Sequence, residues 1–534
     1  MSALLELGIP AVRYGRPTIV SSKVRHRTTI ALAEKMPQVQ ALRKEKLMNN
    51  SNNNNIEWEI QQSIEVAQDI LLETAPVVVT SCVGAYQLSV RLDAIQEKNK
   101  QRISNSDDDD DDDDNDKIRK VDDNTPRFQL VVLDEAGQCT EPALLCSTVG
   151  SEADQLVLVG DTKQLPPTVA SSNKHLRNKL GVSPMDRLEK DGLLSSIDND
   201  NDNGDQQTSN AAISTLQIQY RMTPSLMEFP SNYFYNGLVK SPSFSSKSSS
   251  KSTVVTNISN AFGSIVSPIA AAAVAAVISN QSQPPLGFKW PVPSLPLAFI
   301  NIGNGNGEII HNDDAVISSN SGGKSNPLEA KRIASIVINL LEASPEQQIC
   351  ILTPYSKQVQ LLRSTLQQHA LLLQRKRKQS TPTLSSSSSL SSTISSTNDI
   401  MKLINDIRIG TIDSFQGQEC DIVLFSSVRS NTINELGFVR DPRRLCVALT
   451  RARKGLVVVG DSSCLNSCRH WNSFIKYCTT KQCLVNDDNN NDDNTHDRRE
   501  GDDNQREIEE KEETTKILDK RISSLDDEFF GLFS

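Results

Sequence analysis

Two short apolar runs, each followed by acidic residues, constrain the fold of this chain more than any other feature of its sequence. Leu130–Leu133 runs directly into Asp134 and Glu135, and Leu156–Val159 is followed by a glycine and Asp161. Such runs are typical of strands buried on both faces of a parallel sheet, and open α/β sheets bind ligands at the carboxyl ends of their strands. The sequence therefore predicts two fully buried strands that bring acids to one edge of a sheet.

The adjacent carboxylates of Asp134 and Glu135 allow two interpretations. One of them can hold Mg²⁺ through its oxygen atoms while its neighbour polarises an attacking water. The alternative is a strand that simply ends in polar residues at the surface. The pair alone does not decide between these interpretations.

Further apolar runs extend the α/β pattern along the chain. Residues 1–75 are predicted to be mainly helical, with apolar positions at helical spacing in Ile56–Leu72, and a buried strand is expected within Pro76–Gly84. A second series of strands is predicted at Leu297–Ile302, Gln348–Pro354, Ile407–Thr411, Asp421–Ser426 and Gly455–Gly460. Strands that alternate with helices favour parallel sheets covered on both faces, and 534 residues favour two or more domains.

The net charge of −10 is dominated by solvated acidic blocks. Asp107–Asp114 is an unbroken acidic run, and the tail from Asp487 to Glu513 is rich in carboxylates. Stretches rich in Asn and Asp or in Ser, at 193–212, 240–290 and 379–397, are predicted to be disordered inserts. The remaining body is near neutral or basic, which is compatible with an anionic partner.

Cysteine usage and hydropathy indicate a reducing environment. The ten cysteines have no short-spaced framework and the amino terminus has no secretory signal, so mostly buried free thiols are expected. Zinc binding is an alternative for four of them, although their spacings are loose: Cys464, Cys468, Cys478 and Cys483. Ala261–Ile278 is the most apolar window, but it is largely alanine with Gly, Ser and Pro, which favours an insertion over a membrane span.

Three later stretches have side chains suited to phosphate chemistry. Gln164, in a turn after the second apolar run, offers a donor and an acceptor, and Arg221 is a fixed cation with five donors. The alternative for Gln164 is an ordinary turn, and the alternative for Arg221 is a surface ion pair. Arg443–Arg453 is predicted to be one helix that carries four arginines, suited to a phosphoryl group or to nucleic acid.

Six motifs follow one another along the chain: Asp134–Gln138, Gly160–Pro167, Gln219–Met222, Thr353–Tyr355, Thr411–Glu419 and Val447–Arg453. In this order they closely resemble the motifs of superfamily 1 helicases, especially the branch of the nonsense-mediated-decay RNA helicase, senataxin and the immunoglobulin mu-binding helicase. The resemblance covers roughly residues 1–485 without the inserts.

The resemblance implies roles for five of the residues above. Asp134 would coordinate Mg²⁺, and Glu135 would activate the water that attacks the γ-phosphate of ATP. Gln164 would sense that phosphate. Arg221 and Arg451 would act as fingers that stabilise charge in the transition state.

The resemblance also implies binding roles. Tyr220 and Glu419 would hold the base or ribose of the nucleotide. Thr353, Tyr355 and Thr411 would lie near the nucleic-acid track. The implied activity is ATP-driven movement along single-stranded RNA or DNA, 5′ to 3′, by a protein of the cytoplasm or nucleus without a membrane segment. The inserts offer surfaces for protein partners, and the basic Arg375–Lys378 is either a nuclear import signal or a solvated helix end.

The implied fold class is α/β, with two RecA-like parallel-sheet domains of the P-loop NTPase type and disordered insertions. The first domain would span 1–192, with a helical accessory insert at 20–75 and an acidic insert at 99–124. The second would span 213–485, with inserts at 240–290 and 374–400, and an acidic tail would follow at 486–534.

The phosphate loop, Gly-x-x-x-x-Gly-Lys-Ser/Thr, does not occur in this sequence. Its nearest match, Gly322–Ser325, has Ser318 where the first Gly should be and is predicted to lie in a loop without a preceding strand. We therefore expect a first domain that is incomplete at its amino terminus, and poor or absent ATP hydrolysis by the polypeptide as written. Either an incomplete copy of an active helicase, or a protein or scaffold that binds nucleic acid without hydrolysing ATP, would account for this.

Overall fold

The computed structural model describes residues 1–6, 8–15, 24–48, 54–104, 128–149, 151–191, 195–196, 212–242, 283–303, 305–311, 323–379 and 397–487. By their contacts, residues Met1–Val485 form one unit and Asn486–Ser534 form a second, of which only the first two residues are described. The acidic run, the apolar window Ala261–Ile278 and the acidic tail lie outside the described residues, as do most of the other predicted inserts.

The described residues form fourteen strands and fifteen α-helices, besides four short 3-10 helices. The strands are β1 Ala11–Arg13, β2 Val77–Val79, β3 Leu130–Leu133, β4 Gln155–Leu158, β5 Ser195–Ser196, β6 Ala212–Ile213, β7 Leu297–Asn301, β8 Ile309–His311, β9 Gly323–Ser325, β10 Ile349–Thr353, β11 Arg408–Thr411, β12 Cys420–Ser426, β13 Ala452–Gly460 and β14 Leu484–Asn486. The helices are α1 Ser2–Glu6, α2 Thr29–Ala33, α3 Pro37–Met48, α4 Asn54–Thr74, α5 Cys82–Ser104, α6 Glu141–Thr148, α7 Lys174–Leu180, α8 Pro184–Lys190, α9 Pro224–Phe234, α10 Pro327–Ala343, α11 Ser356–Gln379, α12 Thr397–Asp406, α13 Pro442–Leu449, α14 Ser462–Leu465 and α15 Arg469–Thr480.

The largest sheet has six strands in the order β11-β10-β12-β13-β7-β14. The pairs from β11 through to β7 are all parallel. All five runs of the second predicted series form strands of this sheet, so the predicted α/β class with parallel sheets is confirmed. A fully parallel arrangement requires helices on both faces of the sheet.

Alternating side chains of each strand enter two separate cores. In β10, Ile351 packs with α10 and α11 on one face, whereas Leu352 packs on the other face in the core that includes Trp471 of α15. The apolar positions of α10 recur at helical spacing, as at Ile333 and Val337, and are buried. Because each such side chain contributes roughly 1.5–3 kcal/mol on full burial, these two cores hold the sheet in place.

The first part of the chain contains smaller pairs of strands. β1 pairs in parallel with β2, and β3 pairs in parallel with β4. Helix α4 contains the predicted helical run Ile56–Leu72, and its residues Ile60 and Ile64 pack against Val39 of α3. The predicted division of the chain into two RecA-like domains stays a prediction.

Strands β3 and β4 are less buried than their sequences predict. Val132 exposes 57% of its surface and Val157 exposes 44%. In the described part of the chain these two strands pair only with each other, so their outward side chains lack the cover that strands on both sides and helices on both faces give in the large sheet. The prediction of two fully buried strands was therefore wrong, although both strands form where expected.

Two further expectations are corrected. Gly323–Ser325 is strand β9, antiparallel to β8, and not a loop. Cys350 and Cys420, in neighbouring strands of the large sheet, are joined in a disulfide bond, so not all cysteines are free thiols. Six of the eight remaining cysteines are buried, as expected.

Among the helices of the described ranges, none is both long enough and apolar enough to cross a membrane.

Candidate functional site

Acidic residues meet at the carboxyl ends of β3 and β4. The two strands are parallel neighbours, with Leu133 opposite Leu158, so the acids that follow them share one edge. Glu135 adopts a left-handed backbone conformation with φ of 55°, which is uncommon for a residue with a side chain. The N–H of Glu135 donates to Asp134 Oδ1 at 2.9 Å. Asp134 remains exposed. The chain therefore makes a sharp, strained turn at the two successive carboxylates.

The carboxylate of Glu135 accepts hydrogen bonds from the amide groups of two glutamines, one nearby in the sequence and one distant. Its Oε2 accepts from Gln138 Nε2 at 3.1 Å and from Gln416 Nε2 at 3.2 Å. Gly417 lies alongside with φ of 72°, and a Cβ at this position would lie 3.3 Å from Glu135 Oε1. The glycine thus lets the backbone approach the carboxylate closely. These neutral amide donors orient the carboxylate.

Asp161 orients the side chain of Gln164. Its Oδ2 accepts from Gln164 Nε2 at 2.8 Å and from the hydroxyl of Tyr235 at 2.6 Å. Burial raises the pKa of the Tyr235 hydroxyl well above its usual value, so Tyr235 stays a donor. The amide oxygen of Gln164 is thereby directed away from Asp161 and toward Arg451.

Arg451 meets Gln164 across 287 residues of sequence. Its Nη2 donates to Gln164 Oε1 at 2.9 Å, and its Nε donates to the carbonyl of Val447 at 3.1 Å. The side chain is almost fully buried. Burial, and after it the nearby charge of Arg221, lowers the pKa of Arg451 to about 10. The guanidinium is a cation that is fixed in place and largely removed from water.

The predicted helix Arg443–Arg453 is too long. Helix α13 ends at Leu449, and β13 begins at Ala452. The carbonyl of Arg451 already accepts the N–H of Cys420 on β12, at 3.1 Å. Pairing with the sheet therefore ends the helix, and Arg451 lies in the connection between helix and strand.

Arg221 and Glu419 form an ion pair beside Arg451. Arg221 Nε lies 2.6 Å from Glu419 Oε2, and Arg221 Nη1 donates to the carbonyl of Thr450 at 3.1 Å. Arg453 reaches the other oxygen of Glu419 at 3.4 Å. The side chains of Arg221 and Glu419 keep about a third of their surface exposed, at 32% and 39%. Both partners are thus held in place and reachable from solvent.

The other residues predicted for the site are Tyr220, Thr353, Tyr355 and Thr411. Tyr220 is partly buried, which raises the pKa of its hydroxyl. Thr353 and Thr411 are the last residues of β10 and β11 and pair with each other across the two strands. Tyr355 follows two residues after Thr353 and is buried. Thr353 and Thr411 thus lie next to each other at one edge of the large sheet.

Two contacts were not foreseen from the sequence. Gln416 lies within a recognised motif, yet only the structure shows that it contacts Glu135. The sequence placed Asp161 at this edge of the sheet, but only the structure shows that its carboxylate accepts from Gln164 and Tyr235.

The side chains at this site fit a magnesium nucleotide. Carboxylates such as those of Asp134 and Glu135 are the hard oxygen ligands that Mg²⁺ prefers, and arginines such as Arg221 and Arg451 match phosphate anions. The Oε1 atom of Gln416 is buried and accepts no hydrogen bond from the described residues, so one acceptor remains at the site. Within the described ranges, no three His, Cys, Asp or Glu side chains form a metal-binding group.

The structure is thus that of an α/β protein in which acids and a glutamine follow the parallel strands β3 and β4, and in which Gln164 meets Arg451 from later in the chain. A family model described as AAA domain matches residues 195–463, and a second model of that description matches residues 112–172. The chain belongs to the superfamily 1 helicases of the nonsense-mediated-decay type.

Curated relatives agree with this family. "Regulator of nonsense transcripts 1" of Dictyostelium discoideum is 32% identical over 67% of this chain and 20% of the relative. The homolog of that regulator in Arabidopsis thaliana is 29% identical over 67% of this chain and 22% of the relative. "ATP-dependent helicase upf1" of Schizosaccharomyces pombe is 28% identical over 84% of this chain and 36% of the relative. The matches thus span between a fifth and about a third of these relatives' own length.

Proposed function

We propose that this protein is an ATP-dependent translocase or helicase that acts on single-stranded RNA or DNA and moves 5′ to 3′. The contact between Gln164 and the buried Arg451 is the main support for this proposal. It joins a group suited to sense a phosphate to a cation suited to stabilise one, next to the carboxylate of Glu135. Some of the relatives are named ATP-dependent helicases, which agrees with this proposal.

The side chains of the site suggest a division of roles. Bound ATP with Mg²⁺ would supply the phosphoryl group and the metal charge. Asp134 would hold the metal, and Glu135, oriented by its two amide partners, would accept a proton from the attacking water. Gln164 would bind the terminal phosphate oxygen. Arg221 and Arg451 would stabilise the charge that develops there, and such arginines contribute on the order of 10³–10⁵ in rate.

Binding of the two ligands would use neighbouring regions. Tyr220 and Glu419 would contact the base or ribose of the nucleotide. Thr353, Tyr355 and Thr411, at one edge of the large sheet, would line the track of the single strand. We place the protein in the cytoplasm or nucleus, where RNA and DNA occur, and the inserts would provide surfaces for protein partners.

One observation favours a second function. The 534-residue sequence has no phosphate loop, whose backbone N–H groups and lysine would hold the phosphates. A binding module or scaffold that uses the strand track without hydrolysing ATP would not need that loop.

A comparison of hydrolysis and binding separates the two functions. ATP hydrolysis and single-strand binding would be measured with and without single-stranded RNA or DNA for the wild type, Glu135→Gln and the control Glu141→Gln. Glu141 is an exposed carboxylate paired with Arg187, outside the site. Strand-stimulated turnover that only Glu135→Gln abolishes would support the motor. Strand binding without turnover in any variant would support the binding module, and no strand binding at all would refute both.

A further inference from the structure

Phe438 exposes its ring on a loop whose neighbouring apolar residues are buried. Its exposed fraction is 44%, whereas Leu436 and Val439 expose 4% and 2%. The carbonyl of Val439 accepts a hydrogen bond from the buried indole of Trp471 at 2.8 Å. The short turn is therefore anchored on both sides of the ring, and the ring itself faces solvent.

The loop that carries Phe438 is organised by the buried Arg429. Its Nη1 donates to the hydroxyl of Tyr355 at 3.3 Å, its Nη2 donates to the carbonyl of Glu435, and its guanidinium lies 3.1 Å from the carboxylate of Glu308. Gly437 has φ of 54°, and a Cβ there would lie 3.2 Å from the Tyr355 hydroxyl. A loop fixed in this way loses little conformational entropy when a ligand binds to it.

A cation and a second aromatic ring flank Phe438. The guanidinium of Arg444 lies 5.3 Å from the ring centroid, and Asp441 and Asp413 hold that guanidinium at 3.3 Å and 3.4 Å. The ring of Tyr355 lies 6.1 Å away at an angle of 46°. Aromatic faces and arginine planes are the groups on which nucleobases stack.

We infer that Phe438, backed by Arg444, is a stacking site for one base of a single-stranded nucleic acid, an inference that rests on the proposed function. A single exposed apolar side chain needs no explanation by itself. Here, however, the ring is rigidly held, lies against a cation and contacts Tyr355 two residues beyond the carboxyl end of β10. The exposed Arg440, two residues after Phe438, adds a positive charge that attracts the phosphate beside such a base.

The stacking site is tested with strands that differ only in their bases. Fluorescence anisotropy would measure the binding of a labelled homopolymer of about 12 nucleotides, and of the same sugar–phosphate chain without bases. Phe438→Ala and Phe438→Leu should weaken binding of the base-bearing strand roughly 5- to 150-fold and leave binding of the abasic chain unchanged. Phe438→Trp, which keeps an aromatic ring, should bind the base-bearing strand as the wild type does. Ile433→Ala, which truncates an exposed side chain of the same loop, serves as the matched control and should change neither.

The outcomes separate this inference from the proposed function. Selective loss for the base-bearing strand in both Phe438→Ala and Phe438→Leu supports the stacking site. Equal loss of binding for both strands, or no loss of binding, overturns the stacking site. The proposed function still stands in that case, provided that the wild type binds the strand. If the wild type binds neither strand, the proposed function fails and the stacking site fails with it.

Discussion

Substituting Glu329 by Gln should remove a marked pH dependence of stability. Glu329, on α10, is fully buried and accepts hydrogen bonds from Ser426 Oγ at 2.6 Å, Ser427 Oγ at 3.1 Å and the N–H of Val428 at 2.9 Å. Burial outweighs these three favourable contacts and raises the pKa of Glu329 to about 7, from 4.5. The folded protein therefore favours the neutral carboxylic acid.

The sign and size of the effect follow from proton linkage. Between about pH 4.5 and about pH 7 the folded state holds a proton that the unfolded state has lost, so the free energy of unfolding falls as the pH rises through this window. Above pH 7 the loss is complete. A difference of two to three pKa units corresponds to a loss on the order of 3 kcal/mol. Glu329→Gln mimics the neutral acid at every pH and should not show this loss.

Urea denaturation of both proteins from about pH 5 to about pH 8 measures the effect. The stability of the wild type relative to Glu329→Gln should fall steadily over this range. Glu346→Gln, which changes an exposed glutamate beyond the end of the same helix, should follow the wild type throughout. Parallel curves for the wild type and Glu329→Gln would show that the buried carboxylate does not change its proton occupancy on folding.

Two further substitutions test the contacts of the site and of the strand track. Gly417→Ala should lower the free energy of unfolding by about 1 kcal/mol, because φ is 72°, and urea denaturation would measure this loss. The new methyl would lie 3.3 Å from the carboxylate of Glu135 and should displace it, which nucleotide-dependent strand binding would measure. Glu308→Ala should lower the free energy of unfolding in urea denaturation by about 3–5 kcal/mol, because it leaves the buried guanidinium of Arg429 without its buried carboxylate partner.

Matched controls separate local strain from specific contact. Gly237 has nearly the same φ, 74°, and among the described residues a Cβ there would have only Asn232 near it. Gly237→Ala should therefore lower stability without affecting strand binding. Glu435→Ala removes a carboxylate that is 59% exposed and 3.8 Å from Arg429, so it should cost less than about 1 kcal/mol. Equal effects of each substitution and its control would contradict the assigned contacts.

The strands of the large sheet could be predicted because continuous apolar runs mark strands buried on both faces. The short β14, Leu484–Asn486, gave no such signal. The same signal misled for β3, since an apolar run does not reveal how many neighbouring strands will cover it. Spacing also could not place the end of α13, because arginines near Arg451 fit a helix and a helix–strand connection equally well.

The contacts of the candidate site were beyond the reach of local sequence patterns. Gln164 and Arg451 meet across 287 residues, and nothing in either motif alone specifies the other as its partner. The order of motifs suggested that both belong to one site, through resemblance to a family. The role of Gln416 beside Glu135 required the structure, because a motif identifies residues without stating which of them touch.

The exposed pair β3–β4 has a consequence for handling this protein. In the described part of the chain, each strand has an outer edge of backbone N–H and C=O groups without a strand partner, beside apolar side chains such as Val132. Such edges are templates for pairing between molecules, and they favour aggregation. A lysine at Val132 would place a charge on this surface and should increase the soluble yield, while the acids that follow β3 would remain in place.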